Sequence, residues 1–223
     1  MQRRHLLLSL LSGGAIAAAA PFGPGIARSA SLRTVPIVGL PCEGCEAVFE
    51  GLPEQIPARS RIAPADEPGE PMLLAGRVID AQGRPRSGIV IYAYQTDRKG
   101  IYPDPGPPAG SEARRHGRLR GWAMSDAQGG YAFSTIRPGA YPDTDMPQHI
   151  HMHVIEPGCA TYYIDDVMFR DDPRLTAGMM RTMVLGRGGG GLVTPVMEDG
   201  VWQVERDIVL GMNIPGHPRC SAP

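Results

Sequence analysis

Apolar and polar positions along the chain alternate in short runs with a period of two, separated by turns rich in glycine and proline. "MLLAGRVID" (72–80) predicts a strand, "AQGRPRSG" a turn, and "IVIYAYQTD" (89–97) a second strand with Val90, Tyr92 and Tyr94 on one face. "RKGIYPDPGPPAGSEARRHG" follows as a long loop. Its prolines and glycines rule out a helix, and a loop of this length in a compact domain is more often functional than idle. "LRGWAMSDAQGGYAFSTIRPGAYP" predicts a hairpin turning at Asp126 to Gly130, and "HIHMHVIEP" the next strand. A short helix is expected near Leu175 to Met183, a flexible connection at "GRGGGG" (186–191), and a terminal hairpin with Glu198-Asp199-Gly200 at its turn. Roughly seven or eight strands at hairpin spacing predict an all-β fold, an antiparallel β-sandwich of prealbumin or immunoglobulin-like type with long loops and little helix.

The sandwich is expected over residues 72–212, between segments of different character. Residues 1–30 carry Arg3-Arg4, an apolar run too short to span a bilayer comfortably and then small residues, the pattern of an export signal; the paired arginines point to the twin-arginine type, with a general secretory signal or a retained membrane anchor as the alternatives. Residues 31–71 are rich in proline and acid and read as an extended arm or linker containing "PCEGCEAVF", and residues 213–223 as a tail. The 29 glycines and 23 prolines among 223 residues agree with strands and turns. Without residues 1–20 the chain has 20 basic against 23 acidic side chains, which argues against nucleic acid as a partner and gives an exported chain with no membrane span. Four cysteines, Cys42, Cys45, Cys159 and Cys220, point to structural disulfides of open connectivity; the Cys42/Cys45 pair alone would also serve as a redox pair or half a metal site. The arm would wrap either a neighbour in a homo-oligomer or its own domain.

The candidate chemistry lies in "PGAYPDTDMPQHIHMHV" (138–154). Alternate side chains of a strand share a face, so His149, His151 and His153 line one side and Ile150, Met152 and Val154 the core side. Two imidazoles so placed can turn their ring nitrogens to one ion. Tyr141 and Tyr102 each precede a proline, which restricts the backbone of the residue before it and gives both phenols a set direction. Two phenolates with two imidazoles suit a hard trivalent ion such as Fe(III) better than Zn(II).

"GRLRGWAMSDAQGGYAFSTIRPGAYP" followed closely by "HIHMHV" resembles the intradiol ring-cleavage dioxygenases, the group containing protocatechuate 3,4-dioxygenase and catechol 1,2-dioxygenase, over roughly residues 72–210. The resemblance implies a β-sandwich holding non-haem Fe(III) by Tyr102, Tyr141, His149 and His151. His153 then falls outside the metal set, either touching the ligands or incidental. It further implies cleavage by O2 of a catechol-class substrate between its two hydroxylated carbons, giving a cis,cis-muconate-type product, with Tyr141 the ligand that gives way and takes up a substrate proton. Family members commonly have an arginine three residues before the first histidine; Met146 stands there in this chain. Arg137 is the candidate for that catalytic charge, and Arg118 and Arg120 are candidates for substrate binding. Three other readings compete: a metal-free transthyretin-like binding module, which has no reason to carry Tyr102 with the His-x-His strand; a metallo-cupin, for which Glu156 could follow the His-x-His pair but His217 is a poor candidate for the further histidine; and a dioxygenase homologue without activity, for which Met146 is the warning.

Overall fold

The computed structural model describes residues 35–39, 44–218 and 220. The expected export segment lies outside them. Twelve strands occur among the described residues: β1 (Arg59–Arg61), β2 (Pro71–Ile79), β3 (Val90–Tyr94), β4 (Arg120–Met124), β5 (Gly130–Ile136), β6 (His149–Glu156), β7 (Ala160–Tyr163), β8 (Val167–Phe169), β9 (Leu192–Val193), β10 (Val196–Glu198), β11 (Val201–Glu205) and β12 (Ile208–Val209). The expected helix is present as α1 (Ala177–Met183), its first turn capped by the Thr176 hydroxyl, which accepts from the Met179 amide.

The strands form two six-stranded sheets, one ordered β1-β5-β2-β11-β10 with β12 on β2, the other β4-β3-β6-β8-β9 with β7 on β6. Both sheets are mixed: β1 with β5, β11 and β12 with β2, and β8 with β9 are parallel, so the expectation of a purely antiparallel sandwich does not hold. The expected hairpin at 119–142 is also corrected. Its turn forms, with the Asp126 amide on the Gly130 carbonyl, but β4 then pairs with β3 and β5 with β2. The turn carries the chain from one sheet to the other. The terminal hairpin is as expected, β10 and β11 pairing through Asp199 and Gly200, both at positive φ.

Period-two patterning gives the second sheet two different faces. Ile91, Ala93, Ala123, Ile150, Met152 and Val154 point inward and join Met72, Leu74, Tyr131 and Phe133 of the first sheet in the main core. The larger of these side chains, such as Ile91, Ile150, Met152 and Phe133, each stabilise the fold by about 1.5–3 kcal/mol through burial. Val90, Tyr92, Tyr94, Trp122 and Ile155 point the other way, where Val35, Val48, Leu52 and Ile56 of the arm cover them in a second apolar cluster. The arm is therefore packed onto its own domain and is no linker. The Trp122 indole donates to the Val48 carbonyl (2.7 Å), Arg120 to the Glu50 carbonyl (2.6 Å), and the Glu50 carboxylate accepts the amides of Glu112 and Ala113 in the long loop.

Two further segments are more ordered than their composition suggested. The glycine run is pinned, because the buried Arg206 guanidinium donates to the carbonyls of Arg187 and Gly188. In the tail, Ile214 enters the main core and Cys220 is bridged to Cys159. Cys45 is also disulfide-bonded.

Candidate metal centre

The four residues expected to bind a metal meet on the outer face of the second sheet. The hydroxyls of Tyr102 and Tyr141 are 2.6 Å apart. Tyr141 Oη lies 3.2 Å from His149 Nε2 and 3.4 Å from His151 Nε2; His151 Nε2 lies 3.0 Å from Tyr102 Oη and 3.1 Å from His149 Nε2. Two oxygens and two nitrogens from a loop, a turn and a strand thus converge.

Local structure explains the convergence. His149 and His151 open β6, aimed outward while Ile150 points into the core. The two tyrosine-bearing segments interlock through Asp97: its side chain accepts the Lys99 and Ile101 amides, and its carbonyl accepts those of Gly100 and Gly139. A Cβ on Gly100, whose φ is +80°, would lie 2.0 Å from the Ala140 carbonyl oxygen, so only glycine permits this approach. From the other side, Arg174 donates to the carbonyls of Tyr141 (2.8 Å) and Thr144 (3.1 Å), and the Asp172 carboxylate accepts the Gln148 amide (2.5 Å).

Both imidazoles are oriented for metal binding by what their second nitrogens do. His149 Nδ1 donates to the Pro147 carbonyl (2.7 Å) and His151 Nδ1 to the Asp166 carboxylate (3.0 Å). Each ring therefore presents an Nε2 lone pair to the other ring at 3.1 Å and to the phenol oxygens, a donor set that one cation can share. Bonds of about 2.0–2.2 Å put neighbouring ligand atoms roughly 3 Å apart, so the spacing fits one ion. Asp166 is near enough to the histidines to count as a possible ligand, but the nitrogen it touches is Nδ1; it steers His151. Tyr163 donates to the same Asp166 oxygen and lies 3.0 Å from His151 Nδ1.

The electrostatics agree with a cation site. Burial, and then the adjacent Tyr141, push the Tyr102 phenol far above its ordinary range, so its ionisation needs a nearby positive charge. Burial and the neighbouring His151 push His149 down, keeping it a neutral donor. Burial opposes ionisation of Asp166, yet His151 and the hydrogen bonds from His151 and Tyr163 hold its carboxyl below the usual range.

The other expected site residues are placed elsewhere. Arg137 forms a two-pronged pair with Asp171 (2.8 and 2.7 Å), donates to Gln148 Oε1, and lies over the Phe169 and Trp202 rings. It braces the segment leading to His149 and does not meet the quartet. Arg118 is paired with Glu67 (2.5 and 3.0 Å), and Arg120 lies over Trp122 while holding the arm's carbonyls. Neither is left to bind a substrate. His153 is 1% exposed among the rings of Tyr92, Tyr94 and Tyr163, with no hydrogen-bond partner at either nitrogen. Burial, with His116 and His151 nearby, pushes its pKa down to about 3. Met146 is half-buried on the turn held by Arg174. Asp166, Tyr163, Asp172 and Arg174 were not anticipated; the one signal for the first was an acidic pair inside the apolar stretch "YYIDDVMF".

A protein-family model described as "Dioxygenase" matches residues 51–193, well over half the chain. The chain belongs to the intradiol dioxygenase family. The beta chain of protocatechuate 3,4-dioxygenase from Burkholderia cepacia is 30% identical over 112 residues, covering 48% of each chain. The 6-chlorohydroxyquinol 1,2-dioxygenase of Cupriavidus pinatubonensis is 28% identical over 161 residues, 64% of this chain and 54% of that one. The chain spans about half the length of the curated relatives it matches. Among solved structures, hydroxyquinol 1,2-dioxygenase from Pseudomonas putida DLL-E4 superposes with a TM-score of 0.52 at 25% identity, over 79% of this chain and 67% of that one. The dioxygenase domain of a dioxygenase and carbohydrate-binding fusion from Streptomyces sp. SirexAA-E, at 23% identity and a TM-score of 0.54, shares the fold over 78% of this chain and 97% of that one.

Proposed function

We propose that the chain is an intradiol-type dioxygenase that cleaves a catechol-class substrate with O2 at a non-haem Fe(III) centre held by Tyr102, Tyr141, His149 and His151. The observation that carries the reading is the quartet itself: two phenol oxygens and two oriented Nε2 atoms, with neighbouring contacts between 2.6 and 3.4 Å. When bound, Fe(III) would supply Lewis acidity to a chelated catechol, and two phenolates are the hard anionic donors that such an ion favours. His149 and His151 are fixed through Pro147 and Asp166. Tyr141, on the turn clamped by Arg174, is the ligand whose phenolate oxygen takes up one catechol proton. The apolar cluster of arm and loop beside Tyr102 keeps water from that side of the site.

Met146 favours a second reading, a metal-binding homologue with little turnover, since Arg137, Arg118 and Arg120 are all engaged elsewhere. Iron content and visible tyrosinate-to-Fe(III) absorption of the purified chain test the first reading, and oxygen uptake with a panel of catechols separates the two. A colourless chain that cannot be loaded with iron overturns both. We further propose export by the twin-arginine route; no helix among the described residues is long and apolar enough to cross a membrane. Amino-terminal sequencing of exported protein tests that route.

A further inference from the structure

At the far end of β6 from the quartet lies a cavity of about 630 Å3 whose wall includes Glu156, His217 and Cys220. Beside it the Cys159–Cys220 disulfide, with Cα atoms 5.7 Å apart, adjoins an imidazole and a carboxylate. Cys159 Sγ is 4.0 Å from His217 Nε2, which is 2.8 Å from Glu156 Oε1. One donor atom from each of Glu156, Cys159 and His217 falls within 4.8 Å of the other two. None belongs to the quartet. We infer that reducing the Cys159–Cys220 disulfide turns this cluster into a second metal site, binding a Zn2+-class ion through Cys159, Cys220, His217 and Glu156.

The two donors that are not sulfur are held independently of the disulfide. Glu156 ends β6, is 4% exposed, and accepts the Tyr162 hydroxyl at 2.5 Å. The tail is fixed ahead of the bridge: the Gly211 amide donates to Tyr162 Oη, the Ile214 side chain is buried in the main core, and the His217 amide donates to the Ile214 carbonyl. Cys220 lies only three residues further on. Opening the bridge therefore frees two sulfurs next to a placed imidazole and carboxylate.

The chemistry balances. A dithiol reductant gives two electrons and two protons to the disulfide, breaking the sulfur–sulfur bond and becoming a disulfide itself; each cysteine is left as a thiol. Zn2+ then displaces both thiol protons and the Nε2 proton that His217 gives to Glu156, the imidazole keeping a single proton at Nδ1, and accepts two thiolates, one imidazole nitrogen and one carboxylate oxygen, a tetrahedral set of ordinary composition. Zinc–sulfur bonds of about 2.3 Å require the sulfurs to part to roughly 3.8 Å, within reach of side-chain rotation. Tyr162 remains as the hydrogen-bond donor that fixes the ligating carboxylate, and the cavity provides the entry path. While the disulfide is intact no thiolate exists, and the site is shut.

The test uses the iron-loaded chain in a Cys42→Ser/Cys45→Ser background, which fills the quartet and removes the other two sulfurs. Zn2+ uptake is measured before and after reduction, with thiols counted. The expected result is about one additional Zn2+ per chain on reduction, weakened about tenfold or more by His217→Ala and by Glu156→Gln. Co2+ in its place should give tetrahedral absorption with thiolate charge transfer. No additional metal in a chain with both thiols free overturns the inference, as does uptake that both variants leave unchanged, since two sulfurs alone would then account for it. Should His217→Ala fail to fold, His217→Gln is read in the same way.

Discussion

His151 and Asp166 are joined by a 3.0 Å hydrogen bond from Nδ1 to Oδ1, on the side of the ring away from the other metal-facing atoms. That contact selects the tautomer whose Nε2 lone pair faces the quartet, and Tyr163 fixes the carboxylate in turn. Replacing Asp166 with Asn keeps the shape and removes the charge. Metal affinity should fall about 10- to 100-fold. Iron retention against a chelator measures this, and retention equal to the parent's would refute the role assigned to Asp166.

The two tyrosine segments pass so closely that Gly100 has no space for a side chain. Gly100→Ala sets a methyl group against the Ala140 carbonyl at a left-handed backbone position, and should destabilise the protein by about 1–3 kcal/mol while separating the two phenols. Denaturant unfolding together with the visible absorption of the iron-loaded protein reads both effects.

Tyr102→Phe and Tyr141→Phe should each shift or abolish the tyrosinate-to-iron absorption, because each removes one anionic donor. His153→Phe should leave the absorption nearly intact. Neither ring nitrogen of His153 has a partner, so its polar atoms cost desolvation without return, about 1–3 kcal/mol each, and the variant should fold at least as stably as the parent. Equal loss of absorption in all three would place His153 among the ligands.

The Arg137–Asp171 pair gives a pH dependence of definite sign. Hydrogen bonds from Arg137, partly opposed by burial and helped by its charge, hold the Asp171 carboxyl below its usual range. A depressed carboxylate contributes stability above the unfolded value of about 3.9 and loses it as pH falls through the lower folded value. The melting temperature of Asp171→Asn should therefore lie below the parent's at pH 5 to 7, and the gap should close below about pH 4. Asp171 is partly exposed, so the effect will be modest.

What could be read from the sequence was local. The alternation in "HIHMHV" separates a core face from a metal face, and Tyr102 and Tyr141 stand out because prolines follow them. Sheet membership of β4 and β5 was not legible, since the hydrogen bonds of the Asp126 turn are the same whether the flanking strands pair or diverge. Parallel partners such as β11 and β2 lie far apart along the chain. The arginines failed for a related reason: Arg137, Arg118 and Arg120 find their partners 34, 51 and 70 residues away, so their engagement shows only in three dimensions. Asp166 left a fainter trace, a carboxylate set within an apolar run, where burial without a partner would be costly.

Because the inward stripe of β6 bonds the two sheets while its outward stripe faces only the arm and the loops, mechanical support and reactivity are divided across the thickness of one strand. The coverings of the outward stripe can be exchanged, lengthened or retuned for differently decorated rings while Ile150, Met152 and Val154 stay untouched. A laboratory redesign of substrate preference can accordingly begin with the exposed loop residues 108–110, which leaves Gly100, Tyr102 and the buried arm side chains in place.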